Sequence, residues 1–182
     1  ERLPRLRLTD DSVAACAGEA LVYLEEAHNS HDLSAAQEIG VLCVGPRGQA
    51  VSAELAARLR GEERARLRAS LQPEAGGQWR AADRSCELVL CNGALDDQPA
   101  SSDRGREVVG EMLRVLGPGG HAVVGLREGT PSARAWLALF DERERPSATQ
   151  KHSRQWRMIH KTEPRPLALG LGRYRMYVYR AA

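Results

Sequence analysis

Glu111 to Val124, with the sequence EMLRVLGPGGHAVV, is the most informative stretch of the chain. Apolar residues at helical spacing fill its first half, and a Gly-Pro-Gly-Gly turn ends that periodicity abruptly. Glycines at such a turn permit positive φ angles and close packing of a helix against a strand. The stretch therefore predicts a helix over Arg106 to Leu116 that is followed at once by a buried strand over His121 to Leu126.

Apolar runs and helical spacing also predict strands and helices outside this stretch. Two apolar runs, Ile39 to Gly45 and Cys86 to Cys91, predict two further buried strands. Helical spacing predicts four more helices, at Val13 to Ala27, Ala50 to Leu59, Glu62 to Leu71 and Pro131 to Phe140. Strands that alternate with helices predict an α/β fold, with a mostly parallel sheet and helices on both faces. In such sheets ligands bind beyond the carboxyl ends of the strands.

The carboxyl-terminal part breaks this alternation. Gln155 to His160 and Arg173 to Arg180 are consecutive strand candidates, and they predict an antiparallel hairpin at the edge of the sheet. The second candidate mixes aromatic and basic residues, with Tyr174, Tyr177 and Tyr179 beside Arg173, Arg175 and Arg180. A half-exposed edge strand is the favoured interpretation of that pattern, and a surface for single-stranded RNA is the alternative.

The domain prediction is an N-terminal helical extension, residues 1–38, followed by one α/β domain, residues 39–182. The middle of that domain is the least regular part. Between Gly61 and Ala82 only Trp79 to Ala82 is a strand candidate. Either this half of the sheet is reduced, or part of the chain lies outside this sequence.

The Pro-Gly-Gly stretch resembles the motif before the fifth strand of class I S-adenosylmethionine (SAM) methyltransferases. Asp83 to Leu95 resembles that family's fourth strand and the loop after it, with Glu87 near the position of an acidic residue. The resemblance covers Ile39 to Ala182 and implies a Rossmann-like, methyltransferase-like fold with SAM as the cofactor. The cofactor-binding residues that it implies are Gly45, Gly48, Cys91, Asn92 and Gly93.

The cofactor loop departs from the family pattern. Val41 to Gln49 reads VLCVGPRGQ, where the family has an acidic residue and then Gly-x-Gly-x-Gly. Gly45 matches the first glycine, Arg47 and Gln49 replace the next two, and Cys43 replaces the acid. Arg47 would either block the pocket or meet a phosphate. The loop is therefore interpreted as an eroded cofactor loop.

Gly125 to Pro131, with the sequence GLREGTP, resembles the methyltransferase-like proteins of the mitochondrial ribosomal small subunit. That resemblance implies a mitochondrial location, with ribosomal RNA or ribosomal and assembly proteins as partners. Arg2, Arg5 and Arg7 are compatible with a removed organelle-targeting peptide. The dense cysteine motif that several of those relatives carry after the Gly-Thr-Pro turn is absent from this sequence.

Composition adds weaker constraints. The 182 residues carry a net charge of +2, and Lys151 and Lys161 are the only lysines among 26 basic residues. Arginine suits phosphate groups, which favours an RNA partner; a GC-rich coding bias explains the same count. Three of the four cysteines lie in or beside apolar runs, as expected of buried thiols. No apolar run approaches the roughly 20 residues of a membrane span.

Two functional hypotheses follow. The first is a non-catalytic structural or assembly component of a ribonucleoprotein such as the mitochondrial ribosome. The alternative is an active SAM-dependent methyltransferase acting on RNA or protein, in which Asn92 orients the acceptor. No general base stands out, and no metal site is predicted. His28 and His31, beside Asp32, have a spacing that a metal could use, but a solvated turn is the favoured interpretation.

Overall fold

The computed structural model of the chain describes residues 10–29, 38–96, 98, 100, 102–144, 155–167 and 172–182. The helices in these ranges are α1 (Asp10–Asn29), α2 (Gly48–Arg58), α3 (Gly61–Arg66), α4 (Ser102–Val115) and α5 (Pro131–Glu144). The strands are β1 (Ile39–Val44), β2 (Leu67–Gln72), β3 (Cys86–Asn92), β4 (Leu116–Arg127), β5 (Trp156–Lys161), β6 (Arg165–Pro166) and β7 (Arg173–Ala181).

The strands form one sheet in the order β2-β1-β3-β4-β7-β5, and the short β6 also pairs with β7. β2, β1, β3 and β4 run parallel, with Val41 beside Leu88 and Leu90 beside Val123. β7 is antiparallel to both β4 and β5. The predicted mostly parallel sheet with an antiparallel carboxyl-terminal hairpin is therefore confirmed.

Helices cover both faces of the sheet, as predicted. On one face, α1 and α2 bury Cys16, Val51 and Leu55 against strand residues such as Val41 and Val123. The other face lies under α4 and α5, whose buried residues include Met112, Trp136 and Phe140. Apolar side chains alternate between these two cores along each central strand, so the strands consist of nearly unbroken apolar runs.

α1, which corresponds to the predicted N-terminal extension, lies directly on the sheet. Its residues Cys16, Ala17 and Ala20 are fully buried. The hydroxyl of Tyr174 on β7 donates a hydrogen bond to the carbonyl of Asp11 at 3.1 Å. The division at residue 38 stays a prediction, while α1 forms part of a helical layer that it shares with α2.

The predicted helix from Glu62 to Leu71 is wrong in its second half. The helix α3 ends at Arg66, and Leu67–Gln72 forms the strand β2 beside β1. Four successive β2 residues, 68–71, are exposed, so the strand lacks the apolar signature by which the other strands were found. Pairing with β1 overrides the helical propensity of this segment.

The strand candidate Trp79 to Ala82 is also wrong, because these residues lie outside regular secondary structure. Trp79 is buried, and its indole N–H donates to the carbonyl of Ala75 at 3.0 Å. Trp79 is therefore a core residue in a loop rather than part of a strand. Within the described part of the segment 61–82, β2 is the one strand.

The prediction that Arg173 to Arg180 forms a half-exposed edge strand is wrong as well. β7 lies between β4 and β5, and the edge position belongs to β5. Tyr174, Tyr177 and Tyr179 are 5%, 7% and 0% exposed, so their rings belong to the two cores. The mixture of aromatic and basic residues, for which an RNA surface was the alternative interpretation, belongs to an inner strand that is buried on both faces.

Several sequence features lie outside the described residues, namely Arg2, Arg5, Arg7, His31 and Asp32. Across the ranges given above, no helix is long and apolar enough to cross a membrane.

Candidate ligand pocket

A cavity of about 210 Å³ opens at the carboxyl edge of the parallel strands. This is the edge where open α/β sheets bind ligands. The lining residues come from α1, from the turns after β1, β3 and β4, and from the carboxyl-terminal hairpin. They are Ser12, Arg47, Asn92, Gly93, Asp96, Gly125, Leu126, Arg127, Thr130, Leu167 and Tyr174.

The turn after β1 is held by its glycines. Gly45 has φ +92°, and its N–H donates to the carbonyl of Gln72 at 2.8 Å. A Cβ at Gly45 would overlap the side chain of Ala94. A Cβ at Gly48 would lie 2.9 Å from the carbonyl oxygen of Cys43. Both glycines are therefore required by the packing of this turn, and neither lines the cavity.

Arg47 is the residue of that turn that reaches the cavity. Its backbone precedes the first residue of α2, and its side chain does not cap the helix. Its Nη1 donates to the hydroxyl oxygen of Ser12 at 3.4 Å and lies 3.3 Å from the Cβ position of Gly93. The guanidinium thus spans the space between the β1 turn, the β3 turn and the start of α1.

Asn92 and Gly93 contribute the opposite wall. Asn92, only 4% exposed, ends β3, and its Nδ2 donates to the Ser12 hydroxyl at 3.3 Å. Gly93 has φ +68°, and its N–H donates to the carbonyl of Gly125 at 3.2 Å. These two predicted residues line the cavity together, and their role in binding a cofactor stays a prediction.

Cys91 is completely buried and does not line the cavity. Burial raises the pKa of its thiol to about 12, with a further contribution from the charge of Asp96. Burial likewise raises the pKa of the Cys43 thiol to about 12. Both thiols therefore stay protonated at neutral pH, and they act as small apolar side chains rather than as nucleophiles or metal ligands.

Five polar residues of the cavity were not found from the sequence, namely Ser12, Asp96, Arg127, Thr130 and Tyr174. The position of Arg127 just after the predicted strand His121 to Leu126 is a signal that could have identified it. Ser12 and Tyr174 carry no such signal, because they reach the cavity only through the packing of α1 on β7. In the part of the chain that the structure describes, no cluster of histidine, cysteine and carboxylate side chains could hold a metal ion.

The chain is similar to phosphoethanolamine N-methyltransferase 2 of Haemonchus contortus in complex with S-adenosyl-L-methionine, with TM-score 0.62 and 10% identity over 96% of this chain and 38% of that one. It is also similar to the N-methyltransferase NodS of Bradyrhizobium japonicum in complex with S-adenosyl-L-homocysteine, with TM-score 0.56 and 13% identity over 97% and 91% of the two chains. A putative sarcosine dimethylglycine methyltransferase of Galdieria sulphuraria has TM-score 0.56 and 9% identity over 92% and 84%.

No protein-family profile matches the chain, and no curated protein sequence matches it. The chain spans 38% of the length of the Haemonchus enzyme. With the sheet order, the antiparallel hairpin and the position of the cavity, these likenesses define the class: the chain has the fold of the class I SAM-dependent methyltransferases.

Proposed function

We propose that this chain is a non-catalytic methyltransferase-fold protein that acts as a structural or assembly component of a ribonucleoprotein. The observation that carries the non-catalytic part is the position of Arg47. Its guanidinium reaches Ser12 and the Gly93 turn from a position where the family has glycine. Glycine at that position lets the backbone approach a cofactor, whereas an arginine side chain fills the same space.

Two further observations support a site that does not accept SAM. The cavity of about 210 Å³ is smaller than the roughly 300–1,000 Å³ typical of pockets for drug-sized ligands. At the end of β2, where a carboxylate would hold a ribose, the residue is Gln72. Its amide is engaged locally, because Nε2 donates to the carbonyl of Glu74 at 3.1 Å and Oε1 accepts from the N–H of Arg80 at 3.4 Å. The residues present therefore do not fit the cofactor.

The proposed partner is ribosomal RNA or a ribosomal or assembly protein, in the mitochondrion. Exposed arginines concentrate around α3 and β2, at Arg58, Arg60, Arg64 and Arg68. Arg58 pairs with Glu54 and Arg68 pairs with Glu38, and both pairs are at the surface. Surface arginines of this density attract phosphate backbones through a salt-dependent interaction. The resemblance of Gly125 to Pro131 to mitochondrial ribosomal methyltransferase-like proteins supports the same partner.

The alternative is an active SAM-dependent methyltransferase acting on RNA or protein. One observation favours it, since Asn92 and Gly93 line a cavity at the carboxyl end of β3. In that case methyl transfer would depend on holding donor and acceptor in line. Tyr174 makes a poor base there, because burial raises the pKa of its hydroxyl and that hydroxyl donates to Asp11.

Calorimetric titration with SAM tests the non-catalytic proposal. We expect no measurable binding to the unaltered chain. The double variant Arg47→Gly, Gln49→Gly restores the glycine pattern of the family and reports whether Arg47 is the obstacle. Micromolar binding of SAM to the unaltered chain would overturn the proposal in favour of the enzyme.

Fluorescence anisotropy with a single-stranded RNA tests the partner. We expect binding that weakens as salt rises, and that weakens further in the double variant Arg60→Gln, Arg64→Gln. The matched control is Arg106→Gln, on the exposed face of α4 and paired with Glu142. Equal binding by the double variant and the control, or no binding at all, contradicts an RNA partner at this surface.

A further inference from the structure

Two arginine side chains and one carboxylate, that of Asp96, line the same cavity. Arg47 and Arg127 are both partly buried. Neither forms an ion pair with any residue in the described ranges. Close by, Arg175 pairs with Glu128 at 2.8 Å, so the chain supplies partners to other arginines of this region. A guanidinium that is withdrawn from water favours an anion, which it binds through paired N–H donors.

A buried hydroxyl adds a neutral donor to this wall. The oxygen of Ser12, which is 3% exposed, accepts hydrogen bonds from Arg47 at 3.4 Å and from Asn92 at 3.3 Å. A serine hydroxyl has one proton of its own, and neither of these two bonds uses it. Ser12 therefore can donate to a ligand while it orients the two side chains that donate to it.

Asp96, the acidic residue of the cavity, binds the backbone of Arg127. Asp96 Oδ1 accepts the backbone N–H of Arg127 at 3.0 Å, and this bond fixes the end of β4. The carboxylate therefore positions Arg127. Its Oδ2 lies 3.5 Å from the Cβ position of Gly93, and Arg47 Nη1 lies 3.3 Å from the same position, so the carboxylate and the Arg47 guanidinium border the same part of the cavity. Two guanidinium groups and one carboxylate leave these side chains of the cavity with a net charge of +1, which favours an anion.

We propose that this cavity binds a small oxyanion, a molecule with a carboxylate or phosphate group, through Arg47, Arg127 and Ser12. The volume of about 210 Å³ suits a small molecule rather than a nucleotide-sized one. The inference rests on the proposed function, because Arg47 meets an anion here only where it does not yield its space to SAM.

The test is isothermal titration of the full chain with inorganic phosphate and, separately, with succinate. We expect saturable binding of at least one of them, at constant ionic strength. The two arms distinguish a phosphate from a carboxylate as the preferred group. Failure of both anions to bind overturns the inference, and so does binding that grows linearly with concentration.

Variants locate the site. Arg47→Gln and Arg127→Gln should each weaken the binding about ten-fold or more, which is the usual cost of a lost charge-assisted hydrogen bond. Arg60→Gln is the matched control, since Arg60 lies beyond the carboxyl end of α2, at the opposite edge of the sheet. Equal weakening in all three variants would indicate general attraction to a basic chain and overturn the inference.

The titration with SAM distinguishes failure of the proposed function from failure of the oxyanion site. If SAM binds the unaltered chain and neither anion does, both proposals fail. If neither SAM nor the anions bind, the non-catalytic function stands and the oxyanion site is rejected. Circular dichroism of each variant confirms that it remains folded, so that lost binding reports on the site.

Discussion

Gly45 and Ala94 pack directly against each other, so that the turn after β1 touches the turn after β3 at the edge of the cavity. Gly45 also has φ +92°. The first glycine of the eroded loop is thus required by the backbone conformation and by a neighbour. Loss of cofactor binding in this chain would leave both requirements in place, which explains why this glycine persists where Arg47 and Gln49 replace the others.

Substitution of Gly45 by alanine should destabilise the fold by roughly 2–4 kcal/mol. A left-handed φ costs a non-glycine residue about 1–2 kcal/mol, and the overlap with Ala94 adds about as much again. Gly129→Ala is the matched control, since Gly129 has φ +77° and no described atom lies within 4 Å of its Cβ position. Urea unfolding measures both; equal losses of stability would show that the contact with Ala94 contributes nothing.

Substitution of Tyr179 by phenylalanine should leave stability unchanged or raise it by up to about 1 kcal/mol. The Tyr179 hydroxyl is buried and has no hydrogen-bond partner among the described residues. Its removal relieves a desolvation cost and keeps the ring stacked on Trp156 at 4.7 Å. Tyr174→Phe is the contrasting variant, because it breaks the bond to Asp11 and should cost about 1 kcal/mol. A loss of stability in Tyr179→Phe would contradict this account.

Substitution of Arg114 by methionine should destabilise the chain by about 1–3 kcal/mol. Its guanidinium donates to Asp83 at 2.6 Å, to Glu111 at 2.8 Å and to the carbonyl of Trp79 at 3.0 Å, and it thereby holds the segment before β3 on α4. Arg106→Met removes only surface pairs and should change stability by about 0.5 kcal/mol or less. Thermal unfolding of the two variants provides the comparison, and similar melting temperatures would argue against the Arg114 network.

Acidification should destabilise the chain through His121. Burial, with a contribution from Arg180, lowers the pKa of His121 to about 4, while its ring packs on Tyr23 at 4.7 Å. The unfolded chain binds a proton near pH 6.5 and the folded chain does not. The full stability is therefore present above about pH 6.5, and up to about 3 kcal/mol is lost as the pH falls toward 4.

The variant His121→Gln cannot take up this proton, so its stability should fall less steeply between pH 6.5 and pH 4. Urea unfolding at several pH values checks the slope. Parallel stability curves for the variant and the unaltered chain would assign the acid sensitivity to other groups.

The sequence predicts the central sheet well because β1, β3 and β4 are buried on both faces and leave apolar runs between turn residues. It fails at β2, whose exposed residues Arg68 and Ser70 have no apolar signature and become a strand only beside β1. It predicts β7 as a strand but not its inner position, since the period-two pattern of Tyr174 to Tyr179 does not reveal that β7 has a strand on each side. These are effects of tertiary pairing, which single-sequence periodicity does not contain.

The residues of the candidate site were likewise predictable from the sequence only in part. Asn92 and Gly93 follow an apolar run that was identifiable as a strand, so their position at the carboxyl edge was predictable. The sequence showed Arg47 as a departure from the glycine pattern of the family's cofactor loop, but it did not show the contact of Arg47 with Ser12. Ser12 lies 35 residues earlier, on a helix that was predicted to belong to a separate N-terminal extension. Contacts between segments distant in sequence are the part that motif reasoning misses.

The place of β7 between β4 and β5 also governs the order in which this sheet forms. During synthesis β5 leaves the ribosome before β7, yet its sheet neighbour is β7. Until β7 follows, Trp156 has no strand beside it, and β4 has an open flank. The Tyr174 hydroxyl then closes a loop of more than 160 residues back to Asp11. Contacts between segments so distant in sequence form late in folding, and the open flank of β4 leaves the nascent half-sheet exposed to aggregation until β7 pairs with it.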